Sequence, residues 1–328
     1  MSQAEYDVTG IGNALVDVLT PVNDDFLKKH PSMKRGFMQL INQDQAVALY
    51  DELEAEREVS GGSVANTIAG LASFGGKCAF IGKVADDALG NVFGTDLKKM
   101  DIRFETQPLV LSDPTGRCLI LVTPDAERTM NTYLGASVEL GPDDIDADLI
   151  ASSQITYLEG YLFDPPSAKQ AYIKAAELAH HAGHRVALTL SDPFCVERHR
   201  DDFQKLVEKH TDILFANEEE IISLYKSHSF EEAAQHIGNH CEIAVLTRSN
   251  KGSVIISDEG QHIIEAEPTN LLDTTGAGDQ YAAGFLYGFT QCMPLEKCGK
   301  LGALAAAEVI SHIGPRPEIS YKDFLKKI

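Results

Sequence analysis

Short apolar runs alternate with segments of helical periodicity along most of this chain. The apolar runs end near Gly, Asp, Asn or Thr and lie at 6–12, 78–82, 154–158, 185–190, 213–217 and 243–247. Between them lie helix-forming segments at 167–181, 201–209 and 231–239. Runs that are apolar on both faces are typical of buried parallel strands. The pattern therefore predicts an α/β fold: a doubly wound, mostly parallel sheet flanked by helices.

In such a sheet, ligands bind in the loops at the carboxyl ends of the parallel strands. Four polar residues end or follow predicted strands, and they are Asn13, Asp192, Asn217 and Thr247. We expect these side chains to lie on one rim of the sheet.

Two segments, 19–41 and 109–134, do not follow the alternation. The first contains Pro21, Pro31 and Gly36, and the second alternates residue types at 117–122 and 128–133, as antiparallel strands do. Residues 124–127, Pro-Asp-Ala-Glu, supply turn chemistry between those two runs. Because no long linker divides the chain, we predict a single domain over 1–328, with the two segments inserted as a small β-sheet lid.

The chain is acidic, with 28 Lys and Arg against 49 Asp and Glu, a formal charge of −21. Nucleic-acid binding needs a clustered basic surface, so this balance argues against a nucleic-acid partner. No apolar stretch approaches the length of a membrane span, and the N-terminus lacks the pattern of a secretory signal. The six cysteines are scattered, without a C-x-x-C pair, as in proteins with reduced thiols. These features predict a cytoplasmic protein that binds neither nucleic acid nor membrane.

Glycine-containing segments are candidates for phosphate binding, because glycine lets backbone amides approach a phosphate closely. Gly10-Ile-Gly12 follows a strand but lacks the third glycine of the dinucleotide fingerprint, and Asp17 comes too early to be its ribose carboxylate. A Rossmann dehydrogenase is therefore disfavoured. The pattern G-x-x-x-x-G-K-[ST] is absent from the sequence, which excludes a P-loop as the phosphate-binding device.

A glycine pair, Gly61-Gly62, precedes an apolar helical run that carries Asn66 one turn inside. A turn of this kind presents free backbone amides, and with Asn66 it suits a ligand with several hydroxyl groups. A simple turn and helix cap is the alternative interpretation.

The segment Asp273-Thr-Thr-Gly-Ala-Gly-Asp279 precedes a helix of small residues. Gly276, Ala277 and Gly278 would form the helix N-terminus, where unpaired amides and the helix dipole make an anion hole. Asp279 in the first turn is where a general base for hydroxyl attack on a phosphate should lie. Alternatively, Asp279 is only an N-terminal partner of the helix dipole.

Together these segments resemble the ribokinase/adenosine kinase family, the PfkB carbohydrate kinases. The D-T-x-G-A-G-D signature is specific, and family-like segments occur in order over almost the whole chain, at 12–17, 61–66, 76–90 and 217–220. One departure is Ala85, where the family more often has glycine. The resemblance implies a ribokinase-like fold and an ATP-dependent kinase with Mg²⁺ as a cofactor.

The resemblance also implies a role for each matching residue. Asp279 would deprotonate the acceptor hydroxyl, and the amides of Gly276, Ala277 and Gly278 would stabilise the transferring phosphoryl group. The acceptor would be held by Asn13, Asp17, Gly61, Gly62, Ser63 and Asn66. Asn217 and Glu220 would organise Mg²⁺ through water, and Thr247 and Gly252 would contact ATP. Asp273, Thr275 and Gly314 resemble a K⁺ site, although Pro315 after that glycine is unusual among sugar kinases.

Residues 114–117 and 125–130 look closer to adenosine kinases than to ribokinase, and there the arginine matching Arg128 reaches the phosphates. The resemblance thus favours a nucleoside acceptor, adenosine first, phosphorylated on a primary hydroxyl. The apolar wall for its base would be drawn from Leu15, Met38, Met130 and Tyr161 or Phe163. The alternatives are a kinase of ribose- or fructose-type sugars and a non-catalytic nucleoside- or sugar-binding protein. A lid sheet with an exposed edge is compatible with a monomer or a homodimer.

Overall fold

The computed structural model describes residues 4–36, 38–110, 113–124 and 127–328. They form a large sheet flanked by helices and a second, smaller sheet, so the predicted fold class is confirmed. The strands, numbered along the chain, are β1 (Tyr6–Ile11), β2 (Leu15–Pro21), β3 (Met38–Leu40), β4 (Arg57–Gly61), β5 (Cys78–Ile81), β6 (Gly116–Val122), β7 (Arg128–Tyr133), β8 (Ser153–Glu159), β9 (Arg185–Thr189), β10 (Ile213–Asn217), β11 (Ile243–Thr247), β12 (Ser253–Ser257) and β13 (Gly260–Ile264). The α-helices are α1 (Asp24–Lys29), α2 (Gln43–Glu52), α3 (Ser63–Phe74), α4 (Ala88–Lys99), α5 (Ala147–Ala151), α6 (Pro166–His181), α7 (Pro193–His210), α8 (Glu218–Tyr225), α9 (Phe230–Ile237), α10 (Ala277–Thr290) and α11 (Leu295–Val309).

The large sheet has the strand order β13-β12-β11-β10-β9-β8-β1-β5. Strands β11 to β5 in that order are parallel, and β12 and β13 add an antiparallel edge. The six predicted apolar runs are the six parallel strands, within a residue or two at each end. Their carboxyl ends therefore share one edge of the sheet, where ligands bind in folds of this class.

Side chains of the central strands alternate between two cores, one on each face of the large sheet. In β10, Leu214 and Ala216 enter one core, and Ile213 and Phe215 enter the other. Helices α6, α7, α8 and α9 cover the first face, and α3, α4 and α10 cover the second. Burial of both faces explains why these strands are continuously apolar.

The smaller sheet has the order β3-β7-β6-β2-β4 and takes strands from both segments predicted as a lid. Within it, β6 and β7 form the expected antiparallel pair, in which Arg117 is opposite Tyr133 and Val122 is opposite Arg128. Part of the predicted turn between them, at 125–126, lies outside the described residues, as do positions 37 and 111–112 of the two segments. That this sheet closes as a lid remains a prediction.

Strands β2 and β4 also belong to the smaller sheet, and the sequence patterns do not indicate them. β4 reads Arg-Glu-Val-Ser-Gly, with charged residues at the sheet edge and burial at its carboxyl end only.

Among the described residues, no helix is both long enough and apolar enough to span a membrane.

Candidate active site

A cleft of about 1250 Å³ lies between the two sheets. Its walls come from the carboxyl ends of β8 to β11, the face of the smaller sheet, and the N-terminus of α10. The four residues expected on one rim all line it, namely Asn13, Asp192, Asn217 and Thr247. A cleft of this size is larger than the ~300–1,000 Å³ of most small-ligand pockets.

Most of the site residues identified from the sequence line this cleft. They are Asn13, Asp17, Gly62, Ser63, Asn66, Asn217, Glu220, Thr247, Gly252, Thr275, Gly276, Ala277, Gly278 and Asp279. Gly61, Arg128, Asp273 and Gly314 do not line it. Arg128 and Gly314 instead line a second cavity of about 420 Å³, which shares Asp17 with the cleft.

The turn that begins α10 requires glycine at position 276. Gly276 has a φ of 80°, and a Cβ there would lie 2.6 Å from the backbone of Pro315. Within the described chain, the N–H groups of Gly276 and Gly278 have no backbone acceptor, whereas that of Ala277 donates to the Thr274 carbonyl at 3.2 Å. A Cβ at Gly278 would meet nothing within 4 Å. The helix N-terminus thus presents free amides to open space, as an anion site does.

Asp279 projects from the first turn of α10 and is held by side chains of α3. The Ser63 hydroxyl donates to Asp279 Oδ1 at 2.6 Å, and Asn66 Nδ2 lies 3.4 Å from Oδ2. Burial raises the pKa of Asp279 to about 6 and nearby Asp17 adds to this, while the two hydrogen bonds oppose it. A carboxylate that is ionised at neutral pH but has a pKa close to it is suited to accept a proton.

Asn13 is held by Glu159, the last residue of β8. Glu159 Oε1 accepts from Asn13 Nδ2 at 2.7 Å, and Oε2 accepts from the Val64 backbone N–H at 3.0 Å. The Asn13 Oδ1 accepts from the Ser137 hydroxyl at 2.9 Å. Burial raises the pKa of Glu159 to about 7, although these hydrogen bonds oppose it. At Gly62, where φ is 99°, a Cβ would lie 2.3 Å from the Asn13 carbonyl oxygen.

Asp17 is 8% exposed and lies directly against Gly61. A Cβ at position 61 would come within 2.4 to 2.5 Å of three atoms of the Asp17 carboxylate. Burial raises the pKa of Asp17 to about 6, and the charges of Arg316 and Arg128 oppose the rise. Gly61 thus leaves room for a carboxylate that faces the cleft and can accept two hydrogen bonds from vicinal hydroxyls.

Asn217 and Glu220 form a capping box at the start of α8. Glu220 accepts from the Asn217 backbone N–H at 2.9 Å and from Nδ2 at 2.6 Å. Burial raises the pKa of Glu220 to about 7, and the charges of Asp192, Glu219 and Asp279 add to this. Thr247 and Gly252 lie nearby on the same wall.

These residues suit a hydrated divalent cation better than a directly bound one. The described part of the chain has no group of three or more His, Cys, Asp or Glu side chains that could hold a metal ion. Mg²⁺ usually keeps several waters and takes ligands from phosphates. Both carboxylate oxygens of Glu220 already accept hydrogen bonds from Asn217, so Glu220 fits an ion that it contacts through water.

The carboxylate of Asp273 has its contacts filled within the protein. Oδ1 accepts from the Thr275 N–H at 3.0 Å and hydroxyl at 2.6 Å, and Oδ2 accepts from the Gly314 N–H at 3.0 Å. Arg128 Nη1 lies 3.0 Å from Oδ2. Burial opposes ionisation, yet these contacts hold the pKa of Asp273 below its usual value. A monovalent cation at this carboxylate would lie against the Arg128 guanidinium, so the residues fit that cation only if Arg128 leaves.

Four of the five candidates for an apolar wall line the cleft, namely Leu15, Met38, Met130 and Tyr161. Of the two alternatives Tyr161 and Phe163, the structure therefore places Tyr161 at the cleft and Phe163 away from it. Phe163 is 3% exposed and stacks on Phe203 at a centroid distance of 4.5 Å in the core. It belongs to the short 3₁₀ helix that follows β8, which turns its ring away from the cleft.

Two polar residues in this region, Glu159 and Arg316, are not indicated by the sequence patterns. Glu159 ends β8 on the ligand-binding rim, so the rule applied to Asn217 and Thr247 could have identified it. Arg316 lies between two prolines in a loop, donates to Asn66 Oδ1 at 3.0 Å, and has no local pattern that marks it.

Comparison with known proteins matches residues 39–320 to the family described as "pfkB family carbohydrate kinase". Among curated proteins, the chain is 27% identical to the adenosine kinase of Saccharomyces cerevisiae, covering 93% of this chain and 95% of that protein. It is 29% identical to the 5-dehydro-2-deoxygluconokinase of Geobacillus thermodenitrificans, covering 76% of this chain and 78% of that protein.

Two solved structures are similar over 99% of both chains. One is the adenosine kinase from Sinorhizobium meliloti, with 47% identity and a TM-score of 0.90. The other is a probable sugar kinase protein from Rhizobium etli CFN 42, with 46% identity and a TM-score of 0.91. The names of these relatives thus divide between nucleoside and sugar acceptors.

Proposed function

This chain belongs to the pfkB family carbohydrate kinases, and from that premise we propose that it phosphorylates the primary hydroxyl of a nucleoside, adenosine first. Kinases of this family use ATP, and the protein is a phosphotransferase with a sugar or nucleoside acceptor. The observation that carries the proposal is Asp279, whose carboxylate lies at the N-terminus of α10 beside the open amides of the cleft.

In the proposed reaction, the Asp279 carboxylate accepts the proton of the acceptor hydroxyl. The hydroxyl oxygen forms a bond to the γ-phosphorus of ATP, and the bond from that phosphorus to the β–γ bridging oxygen breaks. The electron pair of that bond leaves on ADP. Developing charge on the transferring group is met by the N–H groups of Gly276 and Gly278. Ala277 joins them only if its N–H leaves the Thr274 carbonyl.

Mg²⁺ would supply positive charge that neutralises the phosphates and would bind near Glu220 and Asn217 through water. Thr247 and Gly252, on the same wall of the cleft, would contact ATP. We further propose that Arg128 reaches the phosphates, which requires it to leave Asp273. Asp273, Thr275 and Gly314 could then hold a monovalent cation.

The acceptor end of the cleft suits a ribose that carries a flat base, because the faces of such a base pack against apolar side chains. Asn13 and Asp17 lie where two vicinal hydroxyls could be held, with Gly61, Gly62, Ser63 and Asn66 beside them. Leu15, Met38 and Met130 line the same part of the cleft and offer an apolar wall for a base. The adenosine kinase relatives also span nearly the whole chain. A simple sugar would leave that wall without a partner.

A sugar kinase is the second candidate, because relatives with sugar-kinase names align over most or all of the chain. The hydroxyl-binding residues suit a fructose- or ribose-type acceptor equally well. The two candidates differ at the apolar wall, which only the base of a nucleoside would use.

The proposal is tested by an acceptor screen with ATP and Mg²⁺. ADP formation is followed by a coupled assay with adenosine, guanosine, cytidine, ribose, fructose and 5-dehydro-2-deoxygluconate. We expect kcat/KM to be highest for adenosine. Turnover of a sugar in the absence of any nucleoside turnover would reject the nucleoside assignment and leave the kinase assignment in place.

A further inference from the structure

Arg316 lies at the centre of a hydrogen-bond network beneath the acceptor site. Its Nε donates to Asn66 Oδ1 at 3.0 Å, and its Nη1 donates to the Ser60 hydroxyl at 2.7 Å. The same Nη1 lies 3.4 Å from Asp96 Oδ2, and the side chain is 17% exposed. Arg316 therefore connects the loop after α11 to both β4 and α3.

The far end of the guanidinium is anchored by Asp96 on α4. Asp96 Oδ2 accepts from the Ser60 backbone N–H at 3.0 Å and from its hydroxyl at 2.6 Å. Ser60 and Asp96 thus form a fixed acceptor pair for Nη1. With Nη1 held there, Nε is directed at Asn66.

The contact with Asn66 determines which way its side-chain amide faces. Asn66 Oδ1 is taken by Arg316, which leaves Nδ2 directed at Asp279 Oδ2, at 3.4 Å. The backbone of Asn66 is held as well, because its N–H donates to Gly62 O at 2.9 Å and its carbonyl accepts from Gln280 Nε2 at 3.0 Å. A reversed amide would place an oxygen against the carboxylate, which is unfavourable for two acceptors.

We propose that Arg316 is a positioning residue for proton transfer, which holds the Asn66 amide so that it donates to Asp279. This inference rests on the proposed function, in which Asp279 is the base. Arg316 acts through Asn66 and does not itself contact Asp279.

Arg316 also contributes charge to the acidic end of the cleft. The titratable and charged groups that interact with Asp279 are Asp17, Glu159, Glu220, Tyr157, Tyr161 and Arg316. Against these acids the guanidinium favours the ionised form of Asp279 and lowers its pKa. Loss of Arg316 should therefore raise the pH at which the base becomes active.

The test compares Arg316→Met, Asn66→Ala and the double variant in initial-rate kinetics across pH. For Arg316→Met we expect kcat to fall by up to about 100-fold, the scale of a misplaced catalytic group. The acid limb of its kcat profile should move to higher pH, and the KM for ATP should change far less than kcat. Because the positioning effect on kcat passes through Asn66, Arg316→Met should lower kcat little further in the Asn66→Ala background. The shift of the acid limb comes from the guanidinium charge and should remain in that background. Arg316→Lys keeps a charge and a donor and should restore part of the rate.

Arg57→Met is the matched control, because Arg57 lines the same 420 Å³ cavity but lies at the exposed amino end of β4. Its kinetics should match those of the wild type. Thermal melting monitors folding, and if Arg316→Met does not fold, Arg316→Gln, which is also uncharged, replaces it in the same measurements. Additive effects of the two substitutions, or an unshifted pH profile, would overturn the role of Arg316. An active Asp279→Asn variant would instead reject the proposed function itself, so the two failures are distinguishable.

Discussion

At the scale of single residues, the cleft contains four carboxyl groups whose pKa values are raised toward neutral pH by burial. Asp17 and Asp279 have a pKa of about 6, and Glu159 and Glu220 have a pKa of about 7. The four carboxyl groups have different hydrogen-bond partners, so they play different parts in the site. Asp279, with Ser63 and Asn66 as its donors, lies in the first turn of α10, next to the open amides. Glu159 is enclosed by Asn13 and Val64 and acts as a support.

Gly61→Ala tests the place of Asp17 at the acceptor end. The new Cβ would overlap the Asp17 carboxylate, so that carboxylate must move away from the acceptor hydroxyls. We expect the KM for the acceptor to rise about 10-fold or more, with little change in the KM for ATP. The control is Gly141→Ala, whose Cβ would have its nearest neighbour 4.0 Å away. An unchanged acceptor KM in Gly61→Ala would show that Asp17 does not hold the acceptor.

The site residues that could be identified from the sequence are those in short glycine-containing segments. Gly276, Gly278 and Asp279 lie together in the chain, and close backbone approach explains their residue types. Glu159 and Arg316 act on partners 146 and 250 residues away, which no local pattern reveals. Their roles depend on tertiary geometry.

At the scale of secondary-structure elements, the Arg128–Asp273 ion pair joins β7 of the smaller sheet to the loop before α10. The two side chains are only 6% and 12% exposed. Removing one partner of a buried pair leaves a charge without compensation, at a cost of about 3–5 kcal/mol. We expect Asp273→Asn to lower the free energy of unfolding by roughly this amount in urea denaturation. The double variant Arg128→Met/Asp273→Asn should lose less than the sum of the single variants, and strict additivity would contradict a coupled pair.

The same pair predicts how monovalent salts act on the ligand-free protein. In the wild type the guanidinium occupies the place of a cation, so KCl and tetramethylammonium chloride at equal ionic strength should give the same Tm. In Arg128→Met the Asp273 carboxylate loses that guanidinium, and KCl should raise the Tm above that in tetramethylammonium. A specific K⁺ effect on the wild-type Tm would show that the cation binds while Arg128 is present.

Strand prediction from sequence succeeded where both faces of a strand are buried. In β5 and β11, burial on both sides demands continuous apolar residues, so the run itself marks the strand. β4 and β3 lie at the edges of the smaller sheet, and their exposed sides accept charged or polar residues. Such strands have little distinctive pattern and become evident only through their pairing with β2 and β7.

At the scale of the whole molecule, the raised pKa values make stability depend on pH. The folded protein binds protons on Glu220 up to about pH 7, whereas the unfolded chain releases them near 4.5. The stabilisation that proton binding gives is therefore present at low pH and is lost as the pH rises to about 7. The same sign holds for Asp17, Glu159 and Asp279, whereas His210, whose pKa burial lowers, acts in the opposite direction.

Glu220→Gln isolates one of these carboxyls, because the variant side chain is neutral at every pH. Between pH 5 and pH 7 the wild-type protein increasingly bears the free-energy cost of ionising the buried Glu220 carboxylate, whereas Glu220→Gln does not. We therefore expect the Tm of Glu220→Gln to rise relative to wild type over this range, by roughly 2–4 °C for each kcal/mol of that cost. Differential scanning calorimetry of both proteins without ligand measures this difference. Parallel Tm curves would contradict a raised pKa at Glu220.

The central claim is that Asp279 is the base of an ATP-dependent nucleoside kinase. The most direct measurement is the initial rate of AMP formation from adenosine and ATP by the wild type and by Asp279→Asn, with adenosine binding measured by calorimetry in parallel. We expect kcat to fall by ~10²–10⁴, as for loss of a general base, while the Kd for adenosine changes little. Wild-type turnover in Asp279→Asn would contradict the claim.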